Sequence, residues 1–176
     1  MRHLWSSIVG SWGTKMKFSL PVYLWFLAML ASMAFLTKDK LGLYLVPPFL
    51  ATLSILHFLP DSAIAQPYAV IVGSVAGAAI GTFMTIFGYG PLFAALGAAL
   101  AFVVIHALHA YHPPGVALAL YPALLHTHPM FPVRVVLPFA ILAVGSAAFF
   151  SRLSSKWPKY PMPLREKPFA PPSTMN

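Results

Sequence analysis

The 176-residue chain has no cysteine, which excludes disulfides, thiolate metal ligands and thiol nucleophiles. Acidic side chains are nearly as scarce, with Asp39, Asp61 and Glu166 the only three in the sequence. None lies in an apolar stretch, which removes carboxylate-pair catalysis and the negative lining that a divalent-cation pathway needs. No nucleophile beside a base and no phosphate-cradling loop is present in or near the apolar stretches, so an enzyme is not expected and no cofactor is implied. Charged residues make up 8% of the chain and hydrophobic ones 59%, the balance of an integral membrane protein in contact with the lipid bilayer.

The apolar stretches run from Leu20 to Leu36, Leu41 to Leu59, Tyr68 to Phe87, Leu92 to Tyr111, Gly115 to Leu125 and Val133 to Phe150. At ~1.5 Å of rise per residue, those of about 20 residues reach across the ~30 Å of a hydrocarbon core, whereas the fifth reads as a half-helix. The expectation is an all-α, polytopic helical membrane protein of four to six membrane segments. A net charge of +8 would point to nucleic acid in a soluble chain. Here most of the basic residues flank the apolar block: Arg2, Lys15 and Lys17 before it, and Arg152, Lys156, Lys159, Arg165 and Lys167 after it. Nucleic acid is therefore not expected as a partner, and the positive-inside rule places both ends in the cytoplasm with an even number of crossings.

Three regions follow. Residues 1–17 form an interfacial segment, because Leu4, Trp5, Ile8, Val9 and Trp12 recur at helical spacing. Residues 18–151 are the transmembrane domain. Its first span is read as retained, although Ser32-Met33-Ala34 resembles a signal-peptide cleavage end. Residues 152–176 are basic and rich in Pro, and read as a mobile cytoplasmic tail.

Two matches within the chain suggest duplicated halves. Pro47-Pro48 and Pro113-Pro114 each open an apolar run, and Val72-Gly73-Ser74-Val75-Ala76 returns as Val144-Gly145-Ser146-Ala147-Ala148. Three crossings per half would give a 3+3 inverted repeat with Pro-Pro-broken half-helices. The rival is four spans with two re-entrant segments.

Gly73, Gly77 and Gly81 recur at intervals of four, a strip where another backbone can come close. Small residues of the fourth span, Ala94, Ala95, Gly97, Ala98 and Ala101, are candidates to face it, and a second copy of the chain in a homo-oligomer is another. His106, His109 and His112 are spaced to share one arc of the last two turns of the fourth helix. Shared metal ligation, with His126 and His128 further on, is the weaker reading of them, and no metal site is assigned. For His112 the prolines that follow give a stronger one. Pro113 and Pro114 start a helix whose Gly115, Val116 and Ala117 N–H groups would meet an anion, with Gly115 leaving room for it. Pro47 and Pro48 are read as starting a parallel helix, with Thr52 and Ser54 behind them and Gln66-Pro67 opening the next span.

These motifs resemble the HPP family of integral membrane proteins. The resemblance covers roughly residues 41 to 151 and rests on Phe49 with Ala51-Thr52, on Ala65-Gln66-Pro67 followed by Val70 and Gly73, and on His112-Pro113-Pro114. It implies a fold of about four spans and, through relatives in chloroplasts and cyanobacteria, a link to nitrite transport. The chain departs from the family pattern at Leu50, Ala69, Ser74, Val116 and Leu118, which make the region less polar. The expected function is a transporter or channel for a small, nitrite-like monovalent anion. Its binding residues would be His112, Gly115, Val116, Thr52, Gln66 and Ser74, with His109 and His106 nearby, and histidine would couple the anion to a proton. The alternatives are a non-transporting subunit that packs through the glycine strip and a histidine-based metal-ion carrier.

Overall fold

The computed structural model describes residues 19–36, 41–154 and 157–162. The expected interfacial helix of residues 1–17, the loop at 37–40 and the tail from residue 163 lie outside the described residues.

All regular structure among the described residues is helical. Helix α1 is Leu20–Leu36 and α2 is Leu41–Phe58; a 3-10 turn, Ala63–Ala65, leads into α3, Pro67–Met84. After α4, Pro91–Ala107, come two short helices, α5 (Pro113–Leu118) and α6 (Tyr121–Leu125), and then a π-helical turn, Pro132–Val136, that runs into α7, Leu137–Leu153. Prolines open α3, α4 and α5, where a missing N–H costs nothing and the fixed φ is already helical. Gly90 precedes Pro91 with φ of 98°, a conformation that suits glycine. The π turn has a proline cause as well. Pro138 offers no N–H and would crowd the carbonyl four residues back, and Leu137 bonds instead to the carbonyl of Pro132.

Pro67–Met84 and Pro132–Leu153 are each long and apolar enough to cross a membrane, and Leu20–Met33, Pro47–Phe58, Pro91–Ala107 and Pro113–Leu125 are shorter apolar helices. Leu27, Leu96, Val103 and Ile141 are exposed on the outside, a surface suited to lipid. Inside, Trp25, Met29, Met33, Phe49, Leu53 and Phe139 form the larger core cluster, with the Phe49 and Phe139 ring centroids 4.0 Å apart.

Contacts between loops set the direction of each segment. Ile64 meets His112, Ala65 meets Tyr160 and Tyr68 meets Leu108, so one end of the bundle gathers the loops after α2, α4 and α7. At the other end Gly90 bonds to Ala123, and the Tyr89 and His126 rings stack 4.2 Å apart. Helices α3 and α5 therefore run parallel, with α4 antiparallel between them in sequence.

The glycine strip is filled from within the chain. A Cβ added at Gly73 would meet the Ala110 carbonyl and, at 3.0 Å, the His112 Cβ. At Gly77 it would meet the carbonyl of Gly115, and at Gly81 that of Ala119. Gly115 in turn lies against the Gly73 carbonyl. Although α4 buries Ala94, Gly97 and Ala101, the backbone that reaches the strip is that of the short helix α5 and its approach. The room at Gly115 is thus taken by helix α3 rather than left for a ligand.

Two further expectations are corrected. Pro47 and Pro48 lie inside α2 instead of starting it: the turn before them is helical, and only the carbonyls of Leu43 and Tyr44 lose their usual partners. The start of the expected mobile tail is packed as well. Trp157 and Tyr160 are buried, Trp157 against Trp25, His57 and Phe150, so these two side chains join the core while Lys159 and Pro161 between and beyond them stay exposed. Proline content hid this, since an irregular segment packs well if its few aromatic side chains find a groove. Burial pushes the pKa of the Tyr160 hydroxyl up, so the group stays a donor through the neutral range.

Replacing Gly77 by Ala should lower stability by about 1–3 kcal/mol, the usual cost of overpacking. Gly145→Ala should change it by no more than ~1 kcal/mol, because a Cβ there meets nothing within 4 Å. Thermal unfolding of the detergent-solubilised variants separates the two, and equal losses would contradict the packing described.

Candidate functional site

Four polar side chains are buried among the described residues: Thr52, Gln66, Ser74 and His112. Each comes from a different segment, and His112 has no exposed surface.

Local sequence places His112. A residue before proline is pushed out of the helical region, and His112 has φ −137° and ψ 106° as the residue capping α5. The helix before it ends at a left-handed residue, His109, with φ 53°. Ala110 N–H reaches back to the Ile105 carbonyl and His109 N–H to that of His106, the paired bonds of a Schellman motif. The chain therefore turns sharply between Ala107 and Pro113, and the expectation of three histidines on one helical arc fails. His106 and His109 are exposed, whereas His112 turns inward.

The imidazole of His112 spans two elements. Its Nδ1 lies 2.8 Å from the Ile64 carbonyl oxygen, and its Nε2 lies 3.0 Å from Thr52 Oγ1 on α2. A carbonyl only accepts, so Nδ1 carries a hydrogen and donates it. Thr52 Oγ1 also lies 3.1 Å from the Pro48 carbonyl, one turn back on its own helix. A hydroxyl has one hydrogen and two lone pairs, and this pair of neighbours lets it serve either state of the ring. With neutral His112, Thr52 donates to Nε2; with protonated His112, Nε2 donates to Thr52 Oγ1, whose hydrogen turns to Pro48. Neither state leaves a buried polar atom of the pair without a partner.

The other predicted residues divide. Gly73 of α3 lies against the His112 Cβ, and Gly115 of α5 packs on the backbone of Gly73 and of the buried Ser74. Gln66, the residue ahead of α3, is differently employed: its Nε2 donates to the carbonyls of Pro60 and Ser62, at 3.1 and 3.0 Å, and so shapes the loop that presents Ile64. It has no amide hydrogen left over for an anion. The Gly115 N–H is likewise spent, donating to the His112 carbonyl at 2.8 Å, and the side chain of Val116 packs into the apolar cluster of Ala101, Ile105, Ala110 and Ala119. Helix α5 has only six residues, too short for the strong dipole expected of it. Of the prolines, Pro113 and Pro114 orient His112, and Pro48 supplies a carbonyl to Thr52. Two participants escaped sequence reading. The Ile64 acceptor is main chain and has no side-chain signature, and Tyr160, which donates to the neighbouring Ala65 carbonyl at 2.8 Å, lies in the Pro-rich end.

Thr52→Val keeps the shape of the side chain and removes its hydroxyl, leaving His112 Nε2 unpartnered. The expected cost is about 1–3 kcal/mol in unfolding experiments, with Thr52→Ser recovering most of it. A Val variant as stable as the wild type would show that the hydroxyl does not serve the ring.

Among curated proteins and among solved structures nothing matches the chain. A family model described as HPP, transmembrane region, matches residues 3–161, a span that takes in the buried histidine with its prolines, its partners on α2 and α3, and the packed segment through Tyr160. The chain is an integral membrane protein and belongs to the HPP family.

Proposed function

We propose that the protein is a membrane transporter for a small monovalent anion, of which nitrite is the model, and that His112 takes up a proton with it. The observation that carries this reading is the buried His112 joined to a hydroxyl that can serve both protonation states of the ring. An ionisable side chain deep in a membrane protein is costly and is usually kept for a pathway or relay. No acidic side chain is buried among the described residues, so protonation would leave one uncompensated positive charge. A small anion cancels that charge, and the two can move as a neutral pair. Thr52 and Ser74 are the neutral hydroxyls at hand, while the helix tip at Gly115 and Val116 has the lesser part. Neither the exposed His106 nor the exposed His109 contributes in this scheme. No enzymatic step is invoked.

The six apolar segments, alternating in direction, support six crossings with both ends in the cytoplasm, the fifth segment being short. A 3+3 inverted relation of the halves rests on the sequence matches alone: Pro47-Pro48 lies inside α2 while Pro113-Pro114 opens α5, and Gly73 is packed tightly whereas Gly145 is not. The alternative of a subunit that binds a partner through the glycine strip loses its surface, because α5 occupies that strip. A homo-oligomer would need another face. In the same way, a metal carrier built on His106, His109 and His112 lacks a common site.

In proteoliposomes, His112→Gln should reduce nitrite uptake driven by an inward proton gradient by at least about tenfold, since an uncompensated charge at the bilayer centre costs ~2.5–3.5 kcal/mol or more. Unchanged uptake would remove His112 from the mechanism. For the crossing pattern, an accessibility tag in the loop Gly88 to Gly90 should react from the outside; reaction only from the cytoplasm would defeat the six-crossing arrangement.

A further inference from the structure

The turn Ala63–Ala65 is held on two successive carbonyls by groups from distant parts of the chain. His112 Nδ1 donates to Ile64 O and the Tyr160 hydroxyl donates to Ala65 O, each at 2.8 Å. Between these carbonyls lie only the φ and ψ of Ala65, a fully buried residue, so displacing one carbonyl displaces the other. Inside the loop, Gln66 Nε2 ties Pro60 and Ser62 together, which leaves little slack to absorb a shift.

Tyr160 is itself anchored. Its backbone N–H donates to Ser151 Oγ on α7 at 2.8 Å, and three residues earlier the Trp157 ring packs 5.4 Å from that of Trp25 and 5.2 Å from that of His57, centroid to centroid. We propose that Tyr160 is a positioning residue for His112: by gripping Ala65, the segment after α7 sets the Ile64 carbonyl that orients the imidazole and fixes the hydrogen on Nδ1. The end of the last helix is thereby coupled to the buried histidine, and strain on the C-terminal segment reaches the site through one turn. The role this gives Tyr160 in proton uptake rests on His112 being the proton carrier of the transport reading.

The test uses the full chain, labelled with 15N-histidine and reconstituted in lipid nanodiscs, with the His112 signal assigned by its loss in His112→Gln. Tyr160→Phe keeps the ring and removes the hydroxyl. The hydrogen on His112 Nδ1 should then exchange with solvent about tenfold faster than in the wild type, the effect of losing one hydrogen bond, and the other tautomer should appear. If the segment only stabilises the fold, the variant will unfold at lower temperature with the His112 hydrogen as slow as before, and that result overturns the proposal. Should Tyr160→Phe fail to fold, Ser151→Ala loosens the anchor while leaving the hydroxyl in place; a smaller acceleration is expected, and none overturns the proposal. The exchange rate does not depend on flux, so normal uptake by His112→Gln would defeat the transport reading while leaving this coupling to be judged on its own measurement.

Discussion

An imidazole with no exposed surface has to satisfy both ring nitrogens within the protein, and around His112 that requirement organises three segments at once. Thr52 from α2 meets Nε2, and the loop ahead of α3 offers the Ile64 carbonyl to Nδ1. The ring itself is carried on the turn into α5. In a low-dielectric interior an unmet hydrogen bond is costly, so the arrangement of these segments is constrained by chemistry as well as by packing. The hydroxyl of Thr52, with a second acceptor at Pro48, makes the constraint compatible with a change of charge.

Close backbone approach allows the histidine to reach that position. Gly73, Gly77 and Gly81 let α3 lie against the Ala110–Ala119 stretch without intervening side chains, and Gly115 returns the favour from the other side. Without burial of apolar side chains against water as a driving force, helices in lipid associate through such tight van der Waals contact. The short helix α5 could not hold its place alone, because six residues are too few for a stable isolated helix. Its position comes from the strip. A larger residue on either face would push His112 away from Thr52, which links an apolar packing motif to a polar site.

Much of this was legible in the residues. Composition and the length of the apolar runs announced a helical membrane protein, and the HPP tripeptide with Ala51-Thr52 and Ala65-Gln66-Pro67 pointed to the family. Thr52, Gln66, Ser74 and His112, each singled out from sequence, are the polar side chains buried among the described residues. Their roles were less legible. Gln66 was expected to face a ligand and instead ties its own loop, since a side chain near main-chain carbonyls is captured by them first. The histidine triplet failed because spacing of three implies one arc only while the helix continues. His109 adopts the left-handed conformation that stops it.

The sequence by itself determined what is local: prolines that open helices and hold His112 extended, glycines that permit contact, and apolar runs that demand lipid. These follow from the stereochemistry of single residues and their immediate neighbours, so they survive any change of context. Which backbone fills the glycine strip, which carbonyl receives Nδ1, and whether a Pro-rich end packs or trails were decided only by the tertiary structure. Such pairings join residues far apart in the chain, Ala65 with Tyr160 and Thr52 with His112, and depend on the relative placement of whole helices. No residue's own preferences encode that placement; it emerges when all the segments satisfy their packing and hydrogen bonds together.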